Sequence, residues 1–196
     1  ELALSMILAS QTLTISSSID VYKGSFNREK FFRKSFKDTS IGILGFGRLG
    51  RMTAEYLLSL GFEVYFYDKK NISLKRKNLK KCNSIDELFK NCNIISIHVN
   101  YKDENRNLIN RNLLCLNPPY KLINTSRAEI FDSNEIHFCF ENGLLEQYLT
   151  DVLEEEPFKN NESVNLSKLW LMQKKYGINS VIITPHIGGA CWSSLY

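Results

Sequence analysis

Residues 41–68 read IGILGFGRLGRMTAEYLLSLGFEVYFYD, and this stretch decides the fold. Ile41-Gly42-Ile43-Leu44 is a short apolar run of the buried-strand type. Gly45-Phe46-Gly47-Arg48-Leu49-Gly50 follows directly, with its glycines at the spacing GxGxxG. Leu49, Met52, Tyr56, Leu57 and Leu60 then fall at offsets 0, 3, 7, 8 and 11, the stripe of an amphipathic helix. Gly61 ends that helix at the position just past its C-cap. Glu63 to Tyr67 reads as a second strand, and the acid Asp68 follows it, 18 residues after Gly50. Strand, glycine turn, helix, strand and acid is the order of a dinucleotide-binding unit.

Each position has a physical role in that unit. Gly45 permits the tight turn, Gly47 has no Cβ to block a pyrophosphate, and Gly50 lets the helix pack close to the strand. Arg48 and Leu49 lie in the phosphate turn, where a helix N-terminus offers free N–H groups and a partial positive charge. Asp68 is placed to accept hydrogen bonds from ribose hydroxyls and to repel a 2′-phosphate. NAD is therefore expected over NADP, although Lys69 and Lys70 follow and could neutralise a phosphate.

Outward from this unit, strand and helix signals keep alternating. Ser84-Ile85-Asp86-Glu87 is a capping box that opens a short helix through Phe89. Ile94 to Val99, Leu122 to Asn124, Tyr148 to Val152 and Val181 to Thr184 are further strand candidates. Asp132 and Glu135 can cap a helix that Gly143 closes. Six strands separated by helices predict right-handed crossovers and a parallel sheet covered on both faces. The expected architecture is a doubly wound α/β domain of the Rossmann type over residues 1–196, with an N-terminal helix over residues 1–18. The least regular stretches are 20–40, 69–81 and 157–180.

The whole-chain arithmetic agrees. The chain has 196 residues, with 43% hydrophobic and 23% charged, the balance of an ordinary globular domain rather than a disordered or membrane protein. A net charge of +4 does not by itself argue for nucleic acid or a membrane surface. Cys82, Cys92, Cys115, Cys139 and Cys191 form no CxxC pair, so reduced thiols in a cytoplasmic protein and no metal centre are expected. The chain begins at Glu1, inside a helical pattern of Leu4, Ile7, Leu8 and Ala9, which reads as part of a longer protein.

Four segments, GFGRLGR (45–51), NTSRAEIFD (124–132), DVLEEEP (151–157) and TPHIGGA (184–190), resemble in sequence and order the NAD-binding domain of the D-isomer-specific 2-hydroxyacid dehydrogenases. ISIHVNYKDENRNLIN (95–110) resembles the same family. The resemblance implies a catalytic set of Arg127, Glu156 and His186. That set suits reduction of a 2-keto acid to a D-2-hydroxy acid, or the reverse. Histidine titrates near neutral pH and can supply the proton for the carbonyl oxygen. Glu156 would hold the imidazole, and the planar fork of Arg127 would bind the substrate carboxylate and carbonyl. Further cofactor contacts carried over by motif position are Val99, Thr125, Ser126, Asp151 and Gly188, with Arg127 and His186 beside the cofactor as well. Asp151 matches the acid that meets the nicotinamide amide; its plainer reading is a strand-end acid capping a turn.

The sequence departs from the family in places. Ala128 stands where a glycine is usual, and Asn100 where a proline is. Tyr148 is bulky in a usually small approach to Asp151, and Leu169, Trp170 and Leu171 fall in a long stretch before His186, expected to form an extra helix or part of a subunit contact. The family also carries a second, substrate domain and commonly forms homodimers through this one. A non-enzymatic NAD(H)-sensing, corepressor-like protein is the competing reading, since such relatives keep the same motifs. A formate dehydrogenase is disfavoured, because the resemblance would then imply glutamine where Glu156 stands. The run Lys69 to Lys81 has seven basic residues but no aromatic interleaving, so a solvated face is expected there rather than a nucleic-acid site. His98 ends a strand and is a candidate for lining the cofactor pocket, while His137 is expected on an exposed helix face.

Overall fold

The computed structural model describes residues 1–74, 76–156 and 167–190. Its described strands are β1 (Ser40–Leu44), β2 (Glu63–Tyr67), β3 (Leu79–Lys81), β4 (Ile94–Ile97), β5 (Tyr120–Asn124), β6 (Leu145–Thr150) and β7 (Val181–Ile183). They form one sheet in the order β3-β2-β1-β4-β5-β6-β7, and every pairing is parallel. The expected doubly wound α/β sheet is thus present, with one strand more than the sequence suggested. The extra strand, β3, lies in the 69–81 stretch expected to be irregular. It is three residues long and pairs Val64 with Leu79, at the edge of the sheet.

The helices cover both faces. They are α1 (Leu2–Thr12), α2 (Thr14–Tyr22), α3 (Arg48–Ser59), α4 (Ile85–Asn91), α5 (Arg111–Leu114), α6 (Ser133–Glu141) and α7 (Lys168–Tyr176). Alternation along each strand divides the core in two. Ile41, Ile43, Val64 and Phe66 point to the face closed by Met6 and Ile7 of α1 and Ala54 and Leu57 of α3. Ile95, Ile97, Leu122 and Tyr148 point to the other face, against Leu88, Phe89, Leu114, Ile136 and Met172. Near-continuous apolar strands are what a parallel sheet buried on both sides requires.

Several local expectations need correction. The N-terminal helix does not run unbroken over 1–18: Leu13 adopts φ 57°, ψ 25°, the left-handed region, and splits it into α1 and α2. The two are bent by 60° relative to each other, and among the described residues no single helix is long and apolar enough to cross a bilayer. The amphipathic helix expected after the glycine turn is present as α3, and most of its apolar stripe lies outside the core. Leu49, Met52, Tyr56 and Leu60 are 61%, 46%, 48% and 43% exposed, and Leu57 alone of the five is buried. The buried face is Gly50, Thr53, Ala54 and Leu57, because small residues let α3 sit close on β1. In the described part of 157–180, the extra helix expected around Leu169, Trp170 and Leu171 is present as α7, with Leu169 buried and Leu171 exposed. Pro157, Cys191 and Lys75 lie outside the described residues.

The caps hold as sequence chemistry predicts. Ser84 accepts from Glu87 N–H at 3.1 Å, while Glu87 reaches back to Asn83 N–H rather than to that of Ser84. Asp132 caps α6 by accepting from Asn134 N–H at 2.7 Å, and Gly143 follows α6 at φ 66°.

Candidate functional site

An all-parallel sheet sends every strand's C-terminal end to one edge, and the chain order reverses between β1 and β4. That reversal opens a crevice, the usual ligand position in such sheets. A cavity of about 460 Å³ sits there. Gly45, Phe46 and Gly47 after β1, Asp68 after β2, and His98 and Val99 after β4 line it.

The glycine turn is shaped by what it lacks. Gly45 has φ +92°, and a Cβ there would lie 2.8 Å from the His98 carbonyl. A Cβ on Gly50 would lie 2.1 Å from the Gly45 carbonyl oxygen, so only glycine lets α3 start this close to β1. Above Gly47 the space is open, with no atom within 4 Å of a Cβ position. The first turn of α3 carries no acid, which leaves its free N–H groups as an uncompensated positive pole. Asp68 is fixed at the mouth: Phe46 N–H donates to Oδ2 at 2.7 Å and Lys70 N–H to Oδ1 at 2.8 Å. Turn, helix pole and acid fit a dinucleotide. Arg48 and Leu49 lie on the first turn of α3 with exposed side chains and do not line the cavity. Arg51, which the sequence reading passed over, does line it, and its Nε donates to Phe46 O at 3.1 Å.

His98 lies in the cavity wall as suggested. Its ring shares a 2.9 Å hydrogen bond with the Ser96 hydroxyl, and burial pushes its pKa down to about 4. It is therefore a neutral wall residue near pH 7. His137 is exposed on α6, hydrogen-bonded to the Tyr176 hydroxyl at 2.8 Å.

The other predicted residues gather along the same edge, past β5, β6 and β7. Arg127 follows β5 and is exposed; its guanidinium donates to Ser126 O at 2.7 Å, and among the described residues it is in no ion pair. Asn124 builds that loop, accepting from Ser126 N–H at 3.0 Å and donating to Arg127 O at 2.9 Å. The Ser126 hydroxyl donates to Val99 O, joining this loop to the cavity wall. Ala128 opens a short 3-10 turn without a positive φ, so the family's glycine is not needed there. Tyr148 does not crowd the site: it is buried under β6, edge-on to Phe131, with its hydroxyl 3.1 Å from Asn124 Nδ2.

His186 is held from two sides. Glu156 Oε2 meets its Nδ1, and the pair is half open to solvent. Its backbone sits at φ 52°, a strained position for a non-glycine residue, of the kind that clusters at functional sites. Asp151 over-determines that geometry. It is 1% exposed and accepts from Thr184 Oγ1 at 2.5 Å, Ile187 N–H at 2.9 Å and Gly188 N–H at 2.7 Å. The turn-capping role of Asp151 is thus the one visible, and the loop it ties is that of His186. Gly188 approaches it so closely that a Cβ would stand 3.0 Å from Oδ2. Asn124, Thr150 and Thr184 were missed by sequence reading. Their one signal was a polar residue at the carboxyl end of a strand, or directly after it. Thr125 lies half-buried on the loop between β5 and Arg127.

Among the described residues no group of three or more His, Cys, Asp or Glu could hold a metal. The described cysteines are all free thiols; burial raises Cys82 to about 11 and Cys139 to about 12. In the basic run, Lys69, Arg76 and Lys80 pair with Glu104, Glu55 and Glu63.

The family model for the D-isomer specific 2-hydroxyacid dehydrogenase NAD binding domain matches residues 4–188. A D-3-phosphoglycerate dehydrogenase of Haemophilus influenzae is 30% identical over 191 residues, covering 97% of this chain and 45% of that protein. A glyoxylate reductase of Thermococcus litoralis is 26% identical over 199 residues, covering 97% of the chain and 56% of that protein. Among solved structures, a D-lactate dehydrogenase of Aquifex aeolicus complexed with NAD and lactic acid superposes with TM-score 0.82 at 28% identity. That superposition covers 97% of this chain and 59% of the other. The chain therefore spans about half the length of the relatives it matches. It belongs to the D-isomer specific 2-hydroxyacid dehydrogenase family, whose NAD-binding domain accounts for nearly all of its length.

Proposed function

We propose that the chain is the NAD-binding part of an oxidoreductase that interconverts a 2-keto acid and a D-2-hydroxy acid. The observation that carries this reading is the pairing of His186 with Glu156, on the sheet edge that also holds the Gly45–Asp68 cavity. The cavity would take the dinucleotide: its diphosphate over Gly47 at the helix pole, its ribose hydroxyls on Asp68. When bound, NAD supplies or accepts the hydride. The remaining chemistry belongs to this chain's side chains.

Glu156 occupies Nδ1 of His186 and leaves Nε2 for the substrate oxygen. His186 gives that oxygen its proton in reduction and takes it back in oxidation. Arg127, after β5, stands on the same sheet edge as His186, two strands away. Its guanidinium binds the substrate carboxylate and polarises the carbonyl.

The exposed apolar face of α3 (Leu49, Met52, Tyr56, Leu60) supports a homodimer through this domain. In this reading the protein is cytoplasmic.

Titrating the 196-residue chain with NADH, followed by nucleotide fluorescence, tests the first half of the proposal. Saturable binding is expected, and Asp68→Ala weakens it at least tenfold. Turnover of a 2-keto acid panel tests the second half, in a protein joining this segment to a substrate domain. There His186→Ala should retain NADH binding and lose turnover. Absence of NADH binding, or full turnover by His186→Ala, would remove the reading.

A further inference from the structure

The cavity mouth carries a charge arrangement that the motif does not explain. Lys69 immediately follows Asp68, where a cation could receive a 2′-phosphate. Its ammonium is committed elsewhere. Nζ lies 3.3 Å from Glu104 Oε1 and donates to Asn105 Oδ1 at 3.2 Å. Asn105 is a firm anchor: it is 5% exposed, and its Nδ2 donates to Asn100 O at 2.9 Å. The bridge thus runs from the loop after β2 to the loop after β4, and all three residues line the cavity.

We propose that Glu104 is a specificity-determining residue: with Asn105 it holds Lys69 and withholds its charge from a 2′-phosphate, so that the site favours NAD(H) over NADP(H). The inference rests on the dinucleotide reading above. A 2′-phosphate would bring about two negative charges to a mouth already holding Asp68. Lys69 lines the cavity next to Asp68, as Lys70 and Arg51 also do; of these three cations Lys69 is, among the described residues, the one held in an ion pair, and Glu104 competes for it. Both partners are about half exposed, side-chain accessibility being 55% and 59%, so the pair is weak and the effect modest.

The test is a double-mutant cycle on the 196-residue chain, read as the ratio of NADPH to NADH dissociation constants. Glu104→Gln keeps the shape and frees Lys69, and the ratio is expected to fall about fivefold, the upper range for one exposed ion pair. Lys69→Met should raise the ratio slightly or leave it. In Lys69→Met/Glu104→Gln the gain should vanish, because there is no cation left to release. A ratio unmoved by Glu104→Gln overturns the inference. So does a gain that persists in the double variant, which would trace to direct repulsion by Glu104. If the unmodified chain binds NADPH as tightly as NADH, the inference also falls while the dinucleotide reading stands. If it binds neither, the dinucleotide reading fails and this inference goes with it.

Discussion

The two halves of the sheet's carboxyl edge are held in opposite ways. Around β2, β1 and β4 the shape comes from missing atoms: Gly45 and Gly50 let backbone approach backbone where a Cβ would stand 2.8 Å and 2.1 Å from a carbonyl. Around β5, β6 and β7 it comes from side-chain acceptors: Asp151 takes up N–H and O–H groups of the loop after β7, and Asn124 and Glu156 take up N–H groups of their own loops. The first half is a rigid cradle suited to a ligand part that never reacts. The second is a set of loops whose geometry depends on ionisable groups, which suits proton transfer. The first half should therefore fail when atoms are added, and the second when acceptors are removed.

The largest effect belongs to the cradle. Gly50→Ala places a Cβ against the Gly45 carbonyl, a backbone atom with no rotamer to escape by. Overpacking of this kind costs about 3 kcal/mol, or roughly 9 °C in thermal midpoint for a chain of this size. NADH affinity should fall with it, since α3 can no longer start beside β1. A midpoint within about 2 °C of the parent would show that the cradle yields, and the contrast between the halves would dissolve.

Asp151→Ala probes the other half. It strips the partner from Thr184 Oγ1, Ile187 N–H and Gly188 N–H at a buried position. Orphaning such donors costs about 2 kcal/mol after water reaches the loop, or roughly 6 °C. The strained backbone at His186 should relax, exposing residues 184–188 to protease. An unchanged midpoint and an unchanged digestion pattern would mean that the loop is held by something other than Asp151.

The same contrast explains what was legible in the sequence. Glycine spacing and apolar runs report on backbone, so the cradle, the parallel sheet and Asp68 could be read directly. The acceptor-held half could be found only by family motif, because Asp151 lies more than 30 residues along the chain from Thr184 and Gly188. The buried face of α3 was not legible for a related reason. Periodicity shows that a helix has an apolar face but not what covers it, and here Gly50, Thr53 and Ala54 took the core side by being small. The break at Leu13 left no trace at all, since leucine is an ordinary helix former and no glycine or proline marks the turn. The third strand was hidden by its lysines, which an exposed edge tolerates and a composition-based reading takes for a loop.

The smallest effect falls on the seam between the halves, where His98 closes β4 and its N–H donates to Leu44 O at 2.7 Å. Burial holds its ring neutral in the folded chain down to about pH 4, whereas the unfolded ring titrates near 6.5. Between those values the unfolded chain binds the proton and the folded chain does not. Stability from this group is thus complete above the unfolded pKa and is lost as pH falls towards the folded one. Lowering the pH from about 7 to about 5.5 should cost about 1 kcal/mol, or roughly 3 °C, through His98 alone. His98→Asn cannot titrate, so its thermal midpoint should fall less over the same interval by that amount. Coincident slopes for parent and variant would show that the ring takes its proton without unfolding. The seam would then move with pH, and the cradle would share the proton sensitivity assigned here to the other half.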